Sequence, residues 1–197
     1  MPEERIARPN GRPANLGPVP QAHVDPRVIT LPVVDAKDIS FTRLSTDDGL
    51  SQTRVTQILQ DDRGFIWFPS QYGLNRYDGY KFRVFKHEPG RPNSLSGVLI
   101  HSLFKDHSGM LWIGFDESLD KFDPVTEAVT HYHIADRDAQ GETFPVTHIS
   151  EDRAGMLWLA TSGGLFGLDP STGQTMRYQH DPNNPGRKRG RNVSLIK

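Results

Sequence analysis

The chain has 197 residues, a formal net charge of -1 and 35% hydrophobic residues, which admits one domain or a large piece of one and argues against a face built to grip nucleic acid. Cysteine is absent, so disulfides, cysteine nucleophiles and thiolate metal sites are excluded. No apolar run approaches the ~20 residues of a membrane-spanning helix, and no basic segment followed by an apolar one marks a signal peptide.

Residues 1–38 read as a proline-rich extended arm or linker. Pro2, Pro9, Pro13, Pro18, Pro20, Pro26 and Pro32 punctuate them, and each proline removes a backbone donor and fixes φ. Residues 39–44 follow, where Phe41 and Leu44 have the spacing expected of a lone outer strand.

From there the chain repeats. Asp61, Gly64 and Trp67 recur as Asp106, Gly109 and Trp112, and again as Asp152, Gly155 and Trp158, with the tryptophans 45 and 46 residues apart. Val55/Ile58, Ile100/Leu103 and Val146/Ile149 precede each unit, while Tyr77, Phe122 and Leu168, each before an aspartate, follow it. Each unit predicts four short strands, A to D: in the first, 55–60, 65–68, 74–77 and 82–85, with strand D ending at 132 and 178 in the others. Asp-x-x-Gly makes the turn from A to B, because Asp accepts from the backbone two residues on and Gly tolerates positive φ. Four antiparallel strands in ~45 residues is the size of a β-propeller blade. The expected fold is therefore all-β, a propeller fragment with blades at about 50–95, 96–144 and 145–190. Val193 and Ile196 suggest the first strand of another blade at 191–197. Stacked sheets bury large side chains, so Trp67, Trp112 and Trp158 are assigned to packing.

These residues resemble the two-component regulator propeller repeat, V-x-x-I-x-x-D-x-x-G-x-L-W-I-G-T-x-x-G-L-x-x-F/Y-D-P, over about 39–197. The resemblance implies part of a larger, seven-bladed propeller. It also implies an extracytoplasmic or periplasmic sensor that precedes a membrane segment and a histidine kinase, hybrid kinase or diguanylate cyclase. Membrane contact would come only through segments outside these residues. Pro69 stands where the repeat has glycine, and Gly114 to Leu119 lack its small-residue turn.

Binding residues gather on loops at one end of a rigid scaffold. The B–C turns place Gln71 and Tyr72, Asp116 and Glu117, and Ser162 at one end, beside the linkers 86–97, 133–145 and 179–192. Asp116 and Glu117 are candidates for a cation or sugar hydroxyls, against the plainer reading of a solvated acidic turn. His131 and His133 share one side of a strand, but the sequence supplies no third ligand, so no metal site is expected. Arg187 to Arg191 form a basic run in a loop, read as solvated. No nucleophile elbow, P-loop or dinucleotide fingerprint occurs, so neither catalytic residues nor a cofactor are expected. The expected function is a non-catalytic ligand-sensing module whose partners are a small molecule or oligosaccharide and the remaining blades of a parent chain. Self-association through open blade edges is also expected. A propeller lyase acting on a polysaccharide or cyclic ester, and a structural interaction platform, are the alternatives.

Overall fold

The computed structural model describes residues 42–134, 143–179 and 189–196, with only the backbone described for 179 and 189–196. The arm at 1–38, residues 39–41 of the expected lone strand, linker residues 135–142 and the stretch 180–188 lie outside the described residues. The chain divides into Met1–Phe41 and Thr42–Lys197, and the second unit carries the fold.

No strand forms at Thr42–Leu44, contrary to the sequence expectation. Ser45 instead caps a single 3-10 turn at Thr46–Asp48. Its backbone N–H donates to Asp48 Oδ2 at 2.8 Å, and Gly49 closes the turn at φ 101. The Ser45 side chain and Asp48 thus form a reciprocal capping box.

Three antiparallel four-stranded sheets follow in chain order. Blade 1 holds β1 (Leu59–Gln60), β2 (Ile66–Ser70), β3 (Gly73–Tyr77) and β4 (Phe82–Phe85); blade 2 holds β5 (Ser102–Lys105), β6 (Leu111–Gly114), β7 (Ser118–Phe122) and β8 (Val129–Ile134). Blade 3 holds β9 (Val146–Glu151), β10 (Leu157–Thr161), β11 (Gly164–Leu168) and β12 (Gln174–Gln179). No α-helix occurs among the described residues. Strand A of blade 1 is shorter than 55–60: beyond β1 it makes one isolated bridge, Val55 to Ser70. Pro69 is the reason. It has no N–H to give the ladder, and only its carbonyl is used, accepting from Thr56 at 3.4 Å. Gly114 and Ala160 hold the same place in blades 2 and 3, whose first strands are longer.

The last strand, β13 (Arg189–Ile196), differs from expectation. Instead of opening another blade it pairs antiparallel with β12, and at Leu195 and Ile196 with Ile134 and His133 of β8. The outer edges of β8 and β12 offer unpaired backbone groups, and β13 takes them.

The sheets stack face to face. Between blades 1 and 2 lie Trp67, Leu74, Ile100, Leu103, Leu111, Ile113 and Phe122. Between blades 2 and 3 lie Trp112, Leu119, Tyr132, Val146, Ile149, Leu157, Leu159, Phe166 and Leu168. Each blade therefore has two unlike faces: one presents its tryptophan, the other its strand A residues.

Candidate functional site

The aspartate of each repeat does more than turn the chain. Asp106 Oδ1 accepts the backbone N–H of Ser108 at 2.9 Å and of Met110 at 3.0 Å, while Oδ2 accepts the indole Nε1–H of Trp112 at 2.7 Å. Asp61 holds Arg63, Phe65 and Trp67 in the same way, and Asp152 holds Ala154, Met156 and Trp158. Gly64, Gly109 and Gly155 complete the turns at φ 88, 84 and 82. Each unit thus orients its own tryptophan through a charge-assisted bond, a link that the motif spacing alone did not disclose.

The candidate ligand residues stand on the B–C turns but are not gathered into one cluster. Gln71 accepts from Gln52 Nε2 at 3.4 Å. Tyr72 is 56% exposed, and Ser162 is exposed. Asp116 pairs with His101 Nε2 at 2.7 Å. Glu117 takes a different place: it lines an open cleft of about 670 Å³ with His87, Arg91, His131 and His133 among its walls.

One wall of that cleft is the linker between blades 1 and 2, folded into a compact loop. Leu95 N–H donates to Lys86 O at 3.3 Å, Arg91 N–H to Glu88 O at 3.0 Å and Ser94 N–H to Arg91 O at 3.1 Å. Ser94 Oγ also caps the loop from inside, accepting from Glu88 N–H and donating to Glu88 O, each at 3.0 Å. Glu88 and Arg91 pair at 2.6 Å. Leu95 is buried in the core, which pins one end.

The loop is fastened to blade 2 by Asp120, fully buried on β7. Its Oδ2 accepts the Ser96 N–H at 2.8 Å, its Oδ1 accepts the Ser96 hydroxyl, and His131 Nδ1 on β8 approaches Oδ1 at 2.8 Å. The other nitrogen of His131 lies 2.8 Å from Pro92 O. A carbonyl and a carboxylate both need a donor, so His131 serves best as an imidazolium. Blade 1 has a neutral version of the clasp: Ser51 N–H donates to Asn75 Oδ1 at 2.8 Å, and Asn75 holds the place of Asp120 in the repeat. With both ring nitrogens engaged, His131 does not join the exposed His133 as a metal pair. The side chains of Arg187 to Arg191 lie outside the described residues.

Burial pushes the His131 pKa down, but the bond to Asp120, the Pro92 carbonyl and the Asp120 charge outweigh it, and the net shift is upward. A folded value above the unfolded one gives stability that is complete below the unfolded pKa, about 6.5, and is lost as pH rises through the folded value. Urea unfolding of this chain is therefore expected to show stability falling as pH rises above about 6.5. The His131→Gln variant should lack that slope; an equal slope in both would place the titration elsewhere.

The comparisons bear on this architecture. No family model matches the chain. A curated histidine kinase of Formosa agariphila is 40% identical over 57 residues, which is 29% of this chain and 4% of that protein. The extracellular domain assigned to a hybrid two-component system of B. thetaiotaomicron superposes with a TM-score of 0.61 at 26% identity, covering 70% of this chain. The chain resembles the sensor domains of two-component systems. A further extracellular domain from the same organism, assigned to a one-component system, shares the fold at 21% identity, with a TM-score of 0.57 over 77% of this chain. The chain spans 20% and 18% of the lengths of these two structures. Among the described residues no helix is long and apolar enough to cross a membrane.

Proposed function

We propose that this chain is a non-catalytic, ligand-sensing part of a bacterial signal-transduction receptor, working outside the cytoplasm, and that a small molecule or oligosaccharide seats in the cleft between the 87–96 loop and β8. The observation that carries this reading is the clasped loop over a volume of about 670 Å³, within the range of small-molecule sites. The loop links two blades, so a ligand pressing on it acts on the junction between them. The groups around it favour binding over chemistry, since His87 Nδ1 contacts Leu95 O at 2.7 Å, Arg91 is tied to Glu88, and His131 is tied to Asp120 and Pro92. Glu117 and His133 also line the cleft and would offer it an acceptor and an imidazole for a hydroxyl-rich ligand.

A calorimetric screen of this chain against oligosaccharides and small metabolites tests the proposal. A ligand should bind without turnover, and combining Glu117→Gln with His133→Ala should weaken it about tenfold or more, the loss of one or two hydrogen bonds to polar groups. Tyr72→Ala should leave the affinity unchanged. Product formation would favour a lyase, and affinity indifferent to the cleft variants would move the site elsewhere.

A further inference from the structure

The repeat sets one cross-strand pair of residues in the same register in each blade, and the three pairs differ in their charge chemistry. In blade 1 Asn75 stands opposite Val84, in blade 2 Asp120 opposite His131, and in blade 3 Phe166 opposite Arg177. The first pair holds no ionisable group. The third holds a guanidinium, which keeps its charge at any ordinary pH and donates to Gly163 O at 2.6 Å. The blade 2 pair holds an imidazole, the group that changes charge near neutral pH.

That imidazole joins two bodies. Residues 88–94 close on themselves as a lobe: Arg91 N–H donates to Glu88 O, and Ser94 Oγ bonds both backbone groups of Glu88. The neck of the lobe is held by His87 Nδ1 against Leu95 O at 2.7 Å and by Leu95 N–H on Lys86 O. Its tip reaches blade 2 at Pro92, whose carbonyl lies 2.8 Å from His131 Nε2. On the other side of the ring, Nδ1 faces Asp120 Oδ1 at 2.8 Å and the Ser96 hydroxyl at 2.7 Å. An imidazolium donates on both sides, whereas a neutral ring has one N–H. The carboxylate is the charged acceptor and keeps that proton at Nδ1. Nε2 then turns a lone pair on the Pro92 carbonyl, and two acceptors face each other. The His131 side chain is 38% exposed, so water reaches it to exchange the proton.

The other charged and titratable groups around His131 are Asp120 on β7, Glu117 in the turn before β7, His133 on β8, and His87, Glu88 and Arg91 on the loop. Glu88 and Arg91 pair with each other. His87 engages one ring nitrogen with a carbonyl, so its neutral tautomer keeps that bond. His131 has both nitrogens engaged and loses one bond with its proton.

We infer that the 88–94 lobe is a proton-controlled lid on the cleft, latched to blade 2 while His131 carries both ring protons and freed at Pro92 when it loses one. Burial lowers the His131 pKa, and the Asp120 and Pro92 bonds raise it further. The latch therefore holds at low pH and opens as pH rises through a folded value above about 6.5. The Ser96 bonds to Asp120 do not use the lost proton, so the base of the loop stays fixed and the lobe pivots on its neck. What the lid does for binding rests on the proposed function: a ligand that needs the closed lid binds more tightly as pH falls, and raises the His131 pKa in return.

The chain has no cysteine, so spin labels can be set at Asn93→Cys on the lobe and Val125→Cys on the β7–β8 turn, both exposed. Pulsed electron-resonance distances between them, taken from about pH 5 to 9, should lengthen and broaden as pH rises. The midpoint should match the His131 ring titration read by NMR on the unlabelled chain. Asp120→Asn should lower both midpoints together by about one unit, because it removes the facing charge; Asn75, in the same register and bonded to Ser51 N–H, shows that the position takes an amide. His131→Gln should abolish the transition. A distance that stays constant while His131 titrates would overturn the inference. So would a transition that survives in His131→Gln, or one that does not follow His131 in Asp120→Asn. A moving lid in a chain that binds no ligand would leave this inference standing and remove the proposed function; a ligand bound in the cleft beneath a lid indifferent to pH would do the reverse.

Discussion

Replacing Trp112 with alanine is expected to destabilise the chain by about 3–5 kcal/mol, the range for deleting a large aromatic from a close-packed interior. The indole is 0% exposed. It lies 5.5 Å from the Tyr132 ring, has Lys121 Nζ over its face at 5.5 Å, and shares a cluster with Val146, Leu157 and Phe166 of blade 3. Removing it opens a void at a sheet-to-sheet junction, where two rigid blades have little freedom to collapse. It also strands Asp106 Oδ2, which loses the indole donor. Urea unfolding with a single fitted transition measures the effect. Trp158→Ala makes the comparison, since the same residue in the same repeat position is partly exposed. Its loss should cost less, about 1–2 kcal/mol. Equal costs for the two would show that orientation by the aspartate matters more than burial between blades.

The second large effect is expected at Asp106. Asp106→Asn keeps one oxygen for the Ser108 and Met110 N–H groups but turns an amide NH₂ toward the Trp112 indole N–H. Two donors then face each other in a buried site, at a cost of about 2–3 kcal/mol for an unmade bond that had been charge-assisted. The acid limb should change as well. Burial raises the Asp106 pKa, but the hydroxyl of Ser108, the Trp112 indole and the two backbone N–H groups hold it below the usual carboxylate value. A folded value below the unfolded one gives stability that is present above about pH 4 and lost as pH falls through the folded value. Asp169, in the β11–β12 turn, is drawn down to about 2, chiefly by the Ser171 hydroxyl, and titrates at a different place. Unfolding curves between about pH 2 and 6 should therefore flatten in Asp106→Asn without becoming level. An unchanged acid limb would remove Asp106 from the account of acid stability.

What the sequence determined by itself is the blade. Asp-x-x-Gly-x-x-Trp acts over seven residues, and everything it needs is local: an acceptor, a residue at positive φ and an alternating apolar strand. Three copies at a near-constant spacing were enough to place twelve strands and to assign the tryptophans to packing. Pro69 was legible as a departure, and its missing N–H accounts for the short β1. The tertiary structure alone decided the rest, because the deciding contacts join residues far apart in the chain. Ser96 meets Asp120, and Pro92 meets His131, 24 and 39 positions away; no spacing rule links them, so the clasped loop and its cleft were not visible. Glu117 was singled out as an acidic turn, yet its place in the cleft depends on a linker that folds back over blade 2. The pairing of β13 with β8 and β12 was likewise beyond reach: its apolar spacing suits a strand A, but strand partners are chosen by which backbone edges stand open nearby.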